Sequence, residues 1–486
     1  MKTIYRTKNG TVITPYKKYQ CKSIENATSI YDAVYHRRDE LTGFHIDNYN
    51  EQSAFITHNQ YLDYLEANFP DYQVIDLPAT RWKKQGQQFA LLDNIHLREI
   101  QGNAANEVLR STKNEFFINM QTAMGKTLLS VYLSSKFGYK TWIMCFSTEI
   151  LRQWIKTYRD KTTKDMERIL FIESSQTIQD IIDNPKAYAD YDIFLSTSGL
   201  VTSFMKRTDY SNLNIAMNYL GIGLLIFDEA HRNMSNIVKI NAVTNVKKTL
   251  YLSADYSQGD QKKEKLFYNI FRNTKILKPT DEEMNSLKHT KVIVLEYNSR
   301  PTIPETMSIN NRYGYSAERY MNYQLKKGAI YKVINFAMDS IIQTNPNHYR
   351  VLILLTQIEH VDLMAAYLKE QNIEGYSIGR YHSRVSEEEK QFSLESADII
   401  VTTYKSFSTG IDVSNIKYVI GLNQSNKVED NQAAGRSRPL ADGSDAVYFM
   451  VVDTGFSYCR KKLKTRLKYL KDTKIKDAFV MNCDIV

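Results

Sequence analysis

From Leu97 to about Val451 the chain alternates short apolar runs with longer stretches whose apolar residues recur at helical spacing. That alternation predicts strands buried on both faces and joined by crossover helices, an α/β class built on doubly wound parallel sheets. A first series of runs predicts strands at 116–119, 141–146, 193–195, 224–227 and 249–252. A second series, past a break near 278–288, predicts them at 291–296, 350–355, 375–378, 398–402, 418–421 and 446–451. The first 94 residues differ in texture, with strand-like pieces at 11–14, 53–57 and 72–76 around a helical 60–69. They predict a small N-terminal α+β domain. The expected organisation is an accessory domain at 1–94, lobes at 95–280 and 281–455, and a C-terminal helix and tail at 456–486.

Each strand of the first series runs into polar residues: Gln121-Thr122, Ser147-Thr148, Ser196-Thr197, Asp228-Glu229 and Ser253-Ala254-Asp255. Ligands of open α/β sheets bind at the carboxyl ends of strands, so these polar ends are expected to converge on one face as a site. Two of them carry distinct chemistry. Gly125-Lys126-Thr127 lies where a strand turns into a helix. There, unpaired backbone N–H groups and the positive end of the helix dipole suit a phosphate, Lys126 adds a cation for the terminal phosphates, and the Thr127 hydroxyl suits Mg²⁺. The full phosphate-loop pattern has a glycine five residues before Gly125, and Met120 stands there instead. A helix entered through a small-residue turn is the competing reading. Leu224-Leu-Ile-Phe-Asp-Glu-Ala-His231 delivers two adjacent carboxylates to a strand end, as cation coordination by one and water activation by the other require.

Composition changes this picture little. Among 486 residues the net charge is +9, which permits a polyanionic partner without requiring one. No apolar run approaches the roughly 18 residues of a membrane span, and the first residues, Met-Lys-Thr-Ile-Tyr-Arg-Thr-Lys, lack the apolar core of a signal peptide, so an intracellular chain without a membrane partner is expected. Cys21, Cys145, Cys459 and Cys483 show no CxxC spacing and are read as reduced thiols. Charge concentrates between Phe456 and Lys476, where nine Lys and Arg, Arg466 among them, face one Asp472. There Leu463, Leu467 and Leu470 predict one docked stripe, with the lysines either solvated or on phosphates. Arg81-Trp82-Lys83-Lys84 reads either as a single-stranded nucleic-acid contact or as a linker with Trp82 tucked onto a neighbour. Tyr313, Tyr315, Tyr320 and Tyr323 read as packing residues before base-stacking ones.

With these motifs in order, residues 95–455 resemble the DEAH-type helicases and translocases of superfamily 2. The resemblance implies two RecA-like lobes that bind ATP and Mg²⁺ and move on nucleic acid. Leu97-Arg98-Glu-Ile-Gln101 resembles the adenine-reading element, with Arg98 and Gln101 on the base, and Gln121-Thr122-Ala123-Met124-Gly125-Lys126-Thr127 the phosphate loop. Ser147-Thr148 with Leu151, Gln153 and Trp154, and then Thr197, resemble strand-end contacts to the nucleic-acid backbone. Asp228, as metal ligand with Thr127, and Glu229, as catalytic base, open the Asp-Glu-Ala-His motif. His231 and Ser253-Ala254-Asp255 resemble the elements that couple nucleotide to movement. In the second lobe Thr402-Thr403, Ser406, Gly410 and Asp412 resemble a motif that contacts nucleic acid and nucleotide. Gln432-Ala-Ala-Gly-Arg436-Ser-Arg438 resembles the one whose arginines reach the γ-phosphate. Arg438 sits one residue earlier than in the commonest form, as in the antiviral RNA-sensor and Dicer group, which leaves open which arginine is the finger. Size and the stretch 403–412 are similar to phage branch-migration helicases of the UvsW type. That finer resemblance implies a monomeric, phage-encoded DNA helicase in the host cytoplasm, working on branched DNA with phage recombination or replication proteins, its residues 1–94 recognising substrate. An RNA helicase, or an ATP-gated clamp that unwinds nothing, is the alternative.

Overall fold

Both apolar series become seven-stranded sheets in which every neighbouring pair is parallel. The structure is a computed structural model that describes residues 2–15, 28–32, 37–41, 43–46, 54–57, 62–120, 124–230, 234–253, 274–280, 282–283, 288, 290–311, 314–408, 413, 415–422, 430, 433–434, 440, 442–473 and 475–483. The chain forms two compact units, Met1–Pro279 and Thr280–Val486.

In the first unit the sheet runs Ile169–Phe171, Ile193–Thr197, Thr141–Cys145, Leu224–Phe227, Lys248–Ser253, Glu115–Asn119, Lys275–Leu277. In the second it runs Ile378–Tyr381, Ile399–Thr403, Arg350–Leu355, Ile416–Gly421, Ala446–Asp453, Thr290–Tyr297, Ile475–Asn482. Counted along the chain within each sheet, both orders are 3-4-2-5-6-1-7. Central strands are sealed on both faces, Leu224–Phe227 and Arg350–Leu355 being buried at every position, which is why they read as unbroken apolar runs. Three of the four edge strands escaped that reading, and the fourth, expected at 375–378, lies at Ile378–Tyr381. Ile169–Phe171 and Lys275–Leu277 are three residues long. Ile475–Asn482 opens on Ile475 followed by the charged pair Lys476-Asp477 and is mostly exposed, so the expected tail is in fact the seventh strand of its sheet.

The N-terminal residues form a five-stranded sheet in the order Gly43–Ile46, Ala54–Thr57, Thr11–Thr14, Thr3–Arg6, Gln73–Asp76, with a hairpin of Thr28–Asp32 and Arg37–Leu41. It packs onto the first lobe and shares its core. Tyr5, Val12, Ala54, Ile56 and Leu77 join one buried cluster with Ile237 and Val238 of helix Met234–Val243. The Tyr5 hydroxyl donates to the Asp209 carboxylate at 2.8 Å, and Thr7 Oγ1 to the Ala242 carbonyl at 2.9 Å. The following linker also lies on this lobe. Trp82 packs on Tyr139 with centroids 4.8 Å apart, and Lys84 Nζ donates to the Phe137 carbonyl. Asp192, fully buried, accepts from the Gly86 and Gln87 N–H groups and pairs with Lys164 and Arg168.

In the second unit the tyrosines serve packing: Tyr320 is buried with its hydroxyl 3.0 Å from that of Tyr297, and Tyr315 stacks on Tyr458 at 4.2 Å. Tyr313 lies outside the described residues, as do Cys21 and Lys474. Helix Ser457–Thr473 docks through Leu463, Leu467 and Leu470, with Lys461, Lys462, Lys464 and Lys468 exposed. Arg466 departs from that pattern. It is buried, its Nε 2.6 Å from Asp430 Oδ2 and a terminal nitrogen 2.8 Å from Oδ1, with the Tyr448 hydroxyl donating to the same carboxylate. No helix among the described residues is long and apolar enough to cross a membrane.

Candidate active site

In the first lobe, consecutive strands Glu115–Asn119 and Thr141–Cys145 lie three places apart, with Leu224–Phe227 and Lys248–Ser253 inserted between them. Such a switch in strand order opens a crevice at the carboxyl edge of the sheet. Backbone bonds knit the strand ends around it: Met120 N donates to Ser253 O, Ala230 N to Leu252 O, and Asp228 N to Met144 O.

Gly125 caps helix Lys126–Phe137 in the left-handed conformation, φ 79°. The backbone there requires glycine, and a Cβ would also displace the Gln101 amide, whose Nε2 it would meet at 2.1 Å. Gln101 is buried, its Nε2 donating to the Gly125 carbonyl at 2.9 Å while its Oε1 accepts from Arg98 N at 2.8 Å. It therefore braces the turn that precedes the helix. Lys126 is buried and donates to the Met120 carbonyl at 3.0 Å. The position where a glycine was expected thus contributes its backbone oxygen, which any residue could supply. Thr127 follows, half-buried in the first turn of the helix.

Asp228 ends strand Leu224–Phe227 with both carboxylate oxygens engaged, Oδ2 by Trp154 Nε1 and Oδ1 by Glu229 N, each at 2.8 Å. Burial, then the like charge of Glu229, push its carboxyl up to about 6, against the opposing pull of Lys126 and the two donors. Cys145 lies close enough that, after burial, both carboxylates push its thiol up. Glu229 has φ 50°, a conformation that costs a non-glycine residue about 1–2 kcal/mol and that concentrates at functional sites. An ammonium, a helix N-terminus and two adjacent carboxylates on one crevice can hold a phosphate chain and act on a water beside it. Asp228 and Glu229 oxygens with the Thr127 hydroxyl are hard donors of the kind Mg²⁺ shares with phosphates.

Three of the hydroxyls expected on nucleic acid, those of Thr197, Thr403 and Ser406, have structural partners. Thr197 Oγ1 caps helix Ser198–Arg207 by accepting from Leu200 N, and Thr403 Oγ1 accepts from Ser406 N and donates to Ser406 Oγ at 2.8 Å. Ser147 precedes helix Thr148–Lys161, its own hydroxyl buried without a protein partner. Gln121, Thr122, Ala123, His231, Ala254, Asp255, Gly410, Asp412, Gln432, Arg436 and Arg438 lie outside the described residues. The sequence reading passed over Trp154 as a partner of Asp228, although a tryptophan on the sheet-facing side of a helix is a visible signal. It also passed over Thr356 and His382, which follow strands of the second sheet as polar ends do in the first. The Thr356 hydroxyl is buried without a protein partner, and His382 Nε2 lies 3.1 Å from Asp362.

Two families match the chain: the type III restriction enzyme res subunit over residues 94–258, and the helicase conserved C-terminal domain over 332–438. A curated relative, the DNA 3'-5' helicase XPB of Mycobacterium tuberculosis, is 23% identical over 335 residues, 68% of this chain. The match spans 56% of that relative's length. Among solved structures, Saccharomyces cerevisiae Dbp5 bound to RNA and ADP BeF3 superposes with a TM-score of 0.52 at 13% identity, covering 79% of this chain and 90% of Dbp5. T4 UvsW aligns over 99% of both chains at 16% identity with a TM-score of 0.32, too low to bear on the fold.

Proposed function

The chain belongs to the superfamily 2 helicases, and from that premise we propose that it hydrolyses ATP to move on or remodel nucleic acid. One observation carries the proposal: Lys126, Asp228 and Glu229 meet at the switch point of the first sheet, below a helix N-terminus opened by Gly125. In this reading the N–H groups at the start of Lys126–Phe137 and the Lys126 ammonium bind the terminal phosphates, and Gln101 with Arg98 flanks the base. Glu229 accepts the proton of the attacking water. Mg²⁺, held by Asp228 and Thr127, supplies charge neutralisation to the phosphates when bound. Gln432, Arg436 and Arg438 take the γ-phosphate arginine motif's role. Ser147, Thr148, Thr197, Thr403 and Ser406 contact the backbone, which carries no sequence information.

The finer proposal is branched DNA as substrate, in recombination, repair or replication. It is supported by the curated relative named as a DNA helicase and by the 403–412 stretch. The superposed Dbp5 was solved with RNA, so the test covers both polymers. ATP hydrolysis should be measured with matched single-stranded, duplex, forked and four-way DNA and with RNA. We expect forked or four-way DNA to stimulate most, and Glu229→Gln to lower turnover about 10²- to 10⁴-fold while ATP still binds. Greater stimulation by RNA removes the DNA assignment. Hydrolysis undiminished in Glu229→Gln removes the active site itself.

A further inference from the structure

Helix Thr148–Lys161 lays Ile150, Leu151, Trp154 and Tyr158 against the sheet. Ile150 and Leu151 need only apolar neighbours, but the fully buried Trp154 indole carries an N–H that calls for an acceptor. It finds Asp228 Oδ2 at 2.8 Å, across from the strand pair in which Phe227 sits opposite Met144. The other oxygen, Oδ1, accepts from Glu229 N at the same distance. The carboxylate is thus held from two sides by donors that belong to different elements, one a helix and one the strand end itself. Its orientation is set before any ligand arrives. A phenylalanine or leucine would fill the same apolar layer, so packing alone does not call for the nitrogen.

We infer that Trp154 is a positioning residue for the divalent cation: through its N–H it fixes the Asp228 carboxylate in the orientation that binds the metal of the metal–ATP complex. The inference rests on the ATP reading of the site and adds to it the residue that sets metal affinity. Groups that hydrogen-bond to a metal-binding carboxylate typically alter metal affinity 10- to 100-fold when removed. The chain as it stands, Trp154→Phe, Asp228→Asn and the double variant should be titrated with Mn²⁺ by electron paramagnetic resonance in the presence of AMP-PNP. Binding of AMP-PNP without divalent cation should be measured alongside.

Trp154→Phe should weaken Mn²⁺ binding about 10- to 100-fold, leave metal-free AMP-PNP binding unchanged, and raise the Mg²⁺ concentration that half-saturates hydrolysis by the same factor, with kcat recovering at high Mg²⁺. In the Asp228→Asn background the same substitution should cost no further affinity, because the metal-binding carboxylate that the indole orients is gone. Should Trp154→Phe fold poorly, β-(3-benzothienyl)alanine at position 154 keeps both rings and replaces only the N–H by sulfur, and the same weakening is expected. Unaltered Mn²⁺ affinity in the folded variant overturns the inference. So does an equal loss in both Asp228 backgrounds, which would mean the indole acts through packing. If the unsubstituted protein takes up no Mn²⁺ with AMP-PNP, the ATP reading fails and this inference falls with it.

Discussion

The two lobes have the same seven strands in the same order, and they treat a buried carboxylate at the strand ends in opposite ways. In the first, Asp228 ends the fifth strand with two donors and a second carboxylate beside it, and its carboxyl is pushed up to about 6. In the second, Asp453 ends the sixth strand with four donors: Ser299 N at 3.1 Å, Ser299 Oγ at 2.5 Å, Gln324 Nε2 at 2.7 Å and Gly455 N at 2.9 Å. Asp430, also buried, takes a two-pronged arginine and a tyrosine hydroxyl. A buried charge with a full set of donors fastens neighbouring segments together, whereas one left short of donors is ready for a ligand that brings positive charge. The shared topology decides where such groups can stand. The donors around them decide whether they hold the fold or wait for chemistry.

The largest effect expected from breaking this contrast lies in the second lobe. Arg466→Met keeps most of the side-chain volume but strips the guanidinium from Asp430, leaving a buried carboxylate with its positive partner gone. Removing one member of a buried pair costs about 3–5 kcal/mol. Urea unfolding should show that loss in the second unit, and replacing Asp430 by Leu in the same chain should return much of it, since two apolar residues of similar volume often do as well as a buried pair. No loss in the single variant would mean that the pair contributes nothing to holding helix Ser457–Thr473.

A smaller loss is expected at Asp453. Asp453→Asn preserves shape, but it turns an NH₂ toward at least some of four groups that are themselves donors. Unpaired donors facing one another in the interior cost about 1–3 kcal/mol. Thermal unfolding of the variant against the unsubstituted chain measures it, and a neutral result would remove Asp453 from the contrast.

What could be read from the sequence followed from burial. Strands sealed on both faces, such as Leu224–Phe227, write themselves as continuous apolar runs, and the polar residues at their ends follow directly. The edge strand Ile475–Asn482 could not be found that way, because Lys476 and Asp477 face solvent and Ile475 is its one buried residue. Side chains that bind backbone or one another across the sheet were equally hidden. Lys126 leaning on the Met120 carbonyl, Gln101 bracing Gly125, and Arg466 reaching Asp430 each join residues whose pairing no spacing rule encodes. Hydroxyls at strand ends were visible as polar, but the caps made by Thr197 and Thr403 show that the same signal is also what a following helix needs.

The finest test of the contrast is to make the Asp453 substitution at Asp228, where it should have the opposite sign. Because the folded-state pKa of Asp228 is raised from 3.8 to about 6, the folded protein favours the protonated carboxyl, and ionising it above that pH works against folding. Stability from this group is complete below the unfolded value near 3.8 and is lost as pH rises through about 6. Asparagine removes the charge at every pH, although its NH₂ leaves one of the two donors, Trp154 Nε1 or Glu229 N, without an acceptor, a cost that opposes the gain. The charge penalty outweighs that cost at pH 7, so Asp228→Asn should raise the stability of the nucleotide-free and metal-free protein there by on the order of 1–2 kcal/mol, with the gain shrinking between pH 6 and pH 4 and turning into a loss below. Differential scanning calorimetry of the chain and the variant across that range measures it, while ATP turnover in the variant should be lost. If Asp228→Asn is as destabilising at pH 7 as Asp453→Asn, the two carboxylates are equivalent parts of the scaffold. A stabilised but inactive Asp228→Asn would identify Asp228 as a charge kept at the expense of the fold and in the service of the site.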